Sequence, residues 1–99
     1  MISTPISSRT LALGLRGEDV LRLQKFMNQN GFVLANSSYG SAGKETTYYG
    51  PLLRNAVIRF QESYTSTLLT PRGLTKGTGI VDSLTLKKIN ELAVKKPLR

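Results

Sequence analysis

The 99-residue chain contains no cysteine, no histidine and no tryptophan. The first absence excludes disulfide staples, thiol catalysis and Cys-based zinc sites. The second removes the commonest general base and the commonest metal ligand. Acids are scarce as well: Glu18, Asp19, Glu45, Glu62, Asp82 and Glu91 stand against fourteen Lys and Arg, a formal net charge of +8. No segment approaches the roughly 18–20 consecutive apolar residues of a membrane span. Residues 1–5, Met-Ile-Ser-Thr-Pro, lack the charged and apolar regions of a signal peptide. What remains fits a small binding module with no cofactor. With 39% hydrophobic residues, the chain can build one core. Its positive field favours polyanionic partners such as nucleic acid, anionic lipid or an acidic polymer.

Three helices are legible between two tails. Residues 1–10, rich in Ser and Thr, read as an N-terminal tail or linker, residues 11–94 as one domain, and residues 95–99 as a C-terminal tail. The first helix opens after Gly17, with Glu18 and Asp19 where the helix dipole favours negative charge. Val20, Leu23 and Met27 form its apolar stripe, widened by Leu21 and Phe26. Asn30-Gly31 stops it, because glycine accepts the left-handed conformation that closes a helix. The second helix begins at Gly50-Pro51, proline being pre-set for the first helical position. Its stripe is Leu53, Ala56, Val57, Phe60 and Tyr64. The third begins at Asp82 or Ser83, either a competent N-cap, and presents Leu86, Ile89, Leu92 and Ala93. One core is expected from Val20, Leu23, Met27, Phe32, Leu53, Ala56, Val57, Phe60, Leu86, Ile89 and Leu92. The fold class is therefore all-α, a compact three-helix bundle with two long inter-helix loops.

Those loops are unusual. They run to about 20 and about 17 residues, where connections beyond about 12–15 are usually functional or mobile. The first holds three of the four tyrosines, Tyr39, Tyr48 and Tyr49, among Ser, Thr, Asn and Gly. Such a mixture offers flat rings and adaptable polar contacts. One of Tyr48 and Tyr49 is expected to plug the core as the chain enters the second helix, and Tyr39 to be a surface aromatic. Gln24 and Gln61 each sit one residue past a core apolar residue. They either bind ligand or tie down loop backbone. The second reading is favoured, because most buried side-chain polar groups bond to backbone. The steps Tyr49-Gly50 and Val81-Asp82, each followed by a helix, hint at an internal pseudo-repeat.

Three blocks in order carry a family resemblance. The run Leu13-Gly14-Leu15-Arg16-Gly17-Glu18-Asp19-Val20-Leu21-Arg22-Leu23-Gln24 resembles the opening of the peptidoglycan-binding-like domain family. Its marks there are a Leu, a Gly-containing turn, Asp-Val and Leu-Gln. The run Tyr49-Gly50-Pro51-Leu52-Leu53-Arg54-Asn55-Ala56-Val57-Ile58-Arg59-Phe60-Gln61 resembles the second block. Gly77 to Thr85, with Ile89 and Asn90, resembles the third. The likeness spans about residues 11–93. It implies a compact three-helix module that docks on bacterial peptidoglycan, through glycan and stem peptide; the chain is expected to be monomeric, and its positive charge adds anionic wall polymers as expected partners. The likeness further implies a larger exported, extracytoplasmic, wall-associated protein whose wall-active enzyme the module targets. The chain departs from the family at Leu53, where the pattern has Thr; Thr85 holds the corresponding place in the third block.

Peptidoglycan presents sugar faces, amides and carboxylates. A groove for it is expected where the loop from Tyr39 to Tyr49 meets the second helix, with Tyr39, Lys44, Tyr48, Arg54 and Arg59 as contacts. Arginine suits carboxylates because its fork pairs both oxygens; a solvated helix face is the plainer reading of Arg54 and Arg59. The alternative function is a small basic nucleic-acid-binding three-helix domain. Against it, a helix-turn-helix joins its helices by roughly three or four residues. Catalysis by this chain alone is not expected. A glycosidase needs two facing carboxylates, and adjacent Glu18 and Asp19 point apart on a helix.

Overall fold

A computed structural model describes residues 6–95. Among these residues there are four α-helices, one 3₁₀ turn and no strand, so the chain is all-α. The helices are α1 (Glu18–Gln29), α2 (Pro51–Ser63), α3 (Thr65–Leu68) and α4 (Ser83–Lys95). The three long ones coincide with the three expected from the apolar stripes. The second long loop differs from expectation. It folds into the single-turn α3 and a 3₁₀ turn at Thr70–Arg72, because Leu68 and Leu69 are buried and pull the segment onto the core.

Each long helix ends or starts by a local device. Gly31, at φ 89°, reverses the chain after α1, and the Phe32 N–H then donates to the Met27 carbonyl. This closing bond from beyond a left-handed glycine satisfies a carbonyl that the helix end leaves unpaired. Pro51 occupies the first position of α2, behind Gly50, which has no side chain to cap with. At α4 the Asp82 Oδ1 accepts the Thr85 N–H at 3.0 Å, an N-cap bond.

The core centres on Phe60. Its ring meets Phe26, Phe32 and Tyr64 at centroid distances of 6.0, 5.4 and 5.1 Å, the first two edge-to-face. Val20, Leu23, Met27, Leu53, Ala56, Val57, Leu86 and Ile89 are buried as expected. Phe32 and Leu92 are only half-buried against that cluster. The stripes did not reveal Ile6, Leu11, Leu34, Tyr49 and Val81, which lie outside the helices and are all buried. Residues 6–9, assigned by composition to a tail, pack on the domain. The Ile6 N–H donates to Asn90 Oδ1 at 2.8 Å, and Arg9 pairs with Asp19 at 2.8 Å. Residues 1–5 of that tail, and residues 96–99 of the C-terminal one, lie outside the described residues.

Residues 11–17 form two short arms about a tight turn, in which Gly14 has φ 97° and the Leu15 N–H donates to the Ala12 carbonyl. Leu11 and Val81 exchange both backbone hydrogen bonds on one arm. On the other, Tyr49 donates to Leu15 and Gly17 donates to Thr47, which sets Arg16 opposite Tyr48.

Candidate functional site

The two glutamines show how the long connections are held. In α1, Gln24 Oε1 accepts the Thr46 N–H at 2.8 Å, and Nε2 donates to the Tyr48 carbonyl at 2.8 Å and Thr46 Oγ1 at 3.3 Å. In α2, Gln61 Oε1 accepts the Thr78 N–H at 2.8 Å, and Nε2 donates to the Ile80 carbonyl at 2.9 Å and Thr78 Oγ1 at 3.3 Å. The threonines return the same favour to the backbone: the Tyr48 N–H donates to Thr46 Oγ1 and the Ile80 N–H to Thr78 Oγ1. Two clasps thus share one bonding pattern. The hint of a pseudo-repeat at Tyr49-Gly50 and Val81-Asp82 has a structural counterpart, since each step follows a clasp. Both amides are buried and spent on loop backbone and threonine hydroxyls, so the ligand reading of Gln24 and Gln61 is set aside. Among the described residues no buried side-chain polar atom lacks a partner.

Tyr49 is the tyrosine that plugs the core. It is fully buried, and its hydroxyl donates to the Gly79 carbonyl at 2.6 Å. Burial pushes its phenol above the usual tyrosine range. That bond ties the end of the first clasp to the loop of the second. Alternation along the extended backbone then turns the preceding residue, Tyr48, outward; it is 39% exposed.

Tyr48 faces Arg16 across a pair of segments that do not hydrogen-bond directly at these two residues. Such pairs bring side chains close together on one face. The Arg16 guanidinium carbon lies 4.5 Å from the Tyr48 ring centroid, a cation–π contact. The backbone beneath Arg16 is fixed from a second direction, since Arg9 Nη2 donates to the Arg16 carbonyl at 2.7 Å. Arg9 in turn is neutralised by Asp19. The hydrogen bond from Arg9 holds the Asp19 carboxyl at about 2, well below the ordinary 3.8, against the opposing effect of burial.

Arg16 and Tyr48 form one wall of a groove of about 330 Å³. Pro51, Leu52 and Leu53 at the start of α2 form another, with Leu34 and Tyr39 from the loop. Tyr39 is 78% exposed. The loop carrying it is braced from α1: Asn28 Nδ2 donates to the Gly40 carbonyl and to Glu45 Oε2, and Asn28 Oδ1 accepts the Leu34 N–H. The polar composition of this loop therefore serves its own bracing as well as its surface.

Of the five contacts expected from sequence, Tyr39 and Tyr48 line this groove, whereas Lys44, Arg54 and Arg59 do not. Lys44 closes a loop turn, its N–H donating to the Ser41 carbonyl and its carbonyl accepting from Gly40. Arg54 lies against Gly79, near the other clasp. Arg59 donates Nη2 to the Val33 carbonyl at 2.6 Å and so holds the segment after α1. Arg16 supplies the groove's cation instead. Sequence spacing concealed it, because its nearness to Tyr48 depends on pairing of segments more than 30 residues apart. Among the described residues no acidic side chain lines the groove, and no group of three or more His, Cys, Asp or Glu could hold a metal ion. No described helix is long and apolar enough to cross a membrane.

Residues 16–67 fit the family described as "Putative peptidoglycan binding domain". That span runs from Arg16 through the first clasp and α2 into α3, and takes in the whole groove. No curated protein and no solved structure matches the chain.

Proposed function

The chain belongs to the peptidoglycan binding domain family, and from that premise we propose that it binds bacterial cell-wall peptidoglycan non-catalytically through the groove at Tyr39, Tyr48 and Arg16. The observation that carries the reading is the coincidence, inside the family match, of an open groove, two exposed tyrosine rings and one guanidinium on a braced frame. Exposed aromatic rings present flat faces to sugars and apolar groups, and a polar handle beside them. A rigid scaffold holding such a loop is where binding residues concentrate. Lys44, Arg54 and Arg59 have no part in this groove. The module serves to hold an attached wall-active enzyme at its substrate, outside the cytoplasmic membrane, as part of a larger exported protein.

The test is co-sedimentation with bacterial sacculi stripped of teichoic acids. Binding should persist in part at ~0.5 M salt, where the Debye length is roughly 4 Å. Tyr39→Ala, at an exposed position, should weaken it with an unchanged melting temperature. Binding that vanishes entirely with salt, or for which double-stranded DNA competes as well as sacculi do, would make the partner a generic polyanion and favour the nucleic-acid reading.

A further inference from the structure

Among the described residues the groove has one charge, Arg16. Its walls are otherwise aromatic and aliphatic, with the amides and hydroxyls beneath them committed to the first clasp. The Arg16 guanidinium has no acidic partner among the described residues and makes no side-chain hydrogen bond among them, whereas Arg9 beside it is matched by Asp19. The cation–π contact with Tyr48 keeps the guanidinium carbon 4.5 Å from the ring centroid. The guanidinium donors stay available, and the fork geometry of those donors matches a carboxylate. A polyphosphate or a nucleic acid would call for several cations along the groove, one for each phosphate it neutralises. A single fixed guanidinium among apolar walls suits a ligand with one anionic end and an apolar body.

Resting on the peptidoglycan reading above, we propose that the Arg16–Tyr48 end of the groove is a carboxylate subsite, which seats a free carboxylate of the stem peptide while the peptide behind it lies along Tyr39, Pro51 and Leu52. The module then prefers uncrosslinked, unamidated stems, and the glycan is the secondary contact. Tyr48 acts here by positioning the guanidinium and Arg16 by pairing the ligand.

The test uses the whole chain with four probes: teichoic-acid-free sacculi, a soluble stem tetrapeptide with free carboxylates, the same peptide with every carboxylate amidated, and glycan strands from which the stems have been removed. The acid peptide should bind about tenfold or more tighter than the amide, the scale of one charge-assisted pairing, and should shift the Arg16 Nε–H and Tyr48 ring signals. Arg16→Gln should abolish that discrimination with an unchanged amide spectrum elsewhere, and Arg16→Lys should restore only part of it, keeping charge without the fork. Equal binding of acid and amide, or an unaltered preference in Arg16→Gln, overturns the subsite while sacculus binding leaves the peptidoglycan reading standing. Tight binding of the denuded glycan, whose lactyl carboxylates are free, with none of the peptide also overturns it, by moving the carboxylate to the sugar. Failure to bind sacculi and every soluble probe overturns both readings.

Discussion

The clasp at Gln24 and the clasp at Gln61 make the same bonds at almost the same distances, yet the groove is lined by residues of the first and by none of the second. Gln61 makes two further bonds, donating to Thr85 Oγ1 at 3.1 Å and accepting the Gly79 N–H at 3.0 Å. At the place corresponding to Thr85, the first clasp has the buried Leu53. The following helix starts on a capping Asp82 in one case and on Pro51 in the other. Outward, Tyr48 meets Arg16, while the register of the Leu11–Val81 pair puts only Ala12 opposite Ile80. A repeated backbone device thus supplies two equivalent surface positions. The side chains that project from it decide which one is fit to bind.

Several substitutions sharpen or break that contrast. Leu23 and Phe60 precede the two glutamines and are both fully buried. Phe60→Ala should cost about 3–5 kcal/mol, enough to unfold a domain of this size, and Leu23→Ala about 2–4 kcal/mol, by urea denaturation. An unchanged melting temperature in Phe60→Ala would remove it from the centre of the core. Gln61→Ala, which leaves the Gly79 N–H and the Ile80 carbonyl unpaired, should cost about 2–4 kcal/mol and Gln24→Ala about 1–3 kcal/mol. Equal losses would show that the additional bonds of the second clasp carry no net stability.

Gly79 has φ 79°, and an added Cβ would come within 2.8 Å of Arg54 Cγ. Gly79→Ala should therefore destabilise by about 1–3 kcal/mol, whereas Thr47→Ala, at the matching place in the first clasp, should stay within about 0.5 kcal/mol. Tyr48→Ala and Ile80→Ala form the functional pair. Both residues are around two-fifths exposed, 39% and 43%, so both variants should fold. Only the first should lose sacculus affinity, by about 1 kcal/mol or more. Equal loss in Ile80→Ala would make the second clasp part of the site.

The smallest effect concerns acid. The Asp19 carboxyl is held at about 2, below its ordinary 3.8, so its charged form contributes stability above about pH 4 that is lost as the pH falls toward 2. In Arg9→Ala that acid limb should flatten. A limb of unchanged steepness would assign it to other carboxylates.

The long helices were readable because a stripe of apolar residues at helical spacing is a local signal, and so are Gly31, Pro51 and Asp82 at the ends. The backbone-tying role of Gln24 and Gln61 followed from the general requirement that buried amides find partners. The helical turns in the second long connection were not readable, since four residues at Thr65–Leu68 are too few to show a period. Ile6 was hidden because its place in the core is a long-range matter, its backbone N–H bonding to Asn90 at the far end of the chain. Composition and periodicity by themselves determined an all-α domain with one core, no thiol or imidazole chemistry and a positive field, because these depend on residue type and on neighbours within a turn or two. Only the tertiary structure decided that Arg16, rather than Arg54 or Arg59, stands beside Tyr48, because that choice depends on which distant segments pair and in what register, and a shift of one residue in an extended pair sends each side chain to the opposite face.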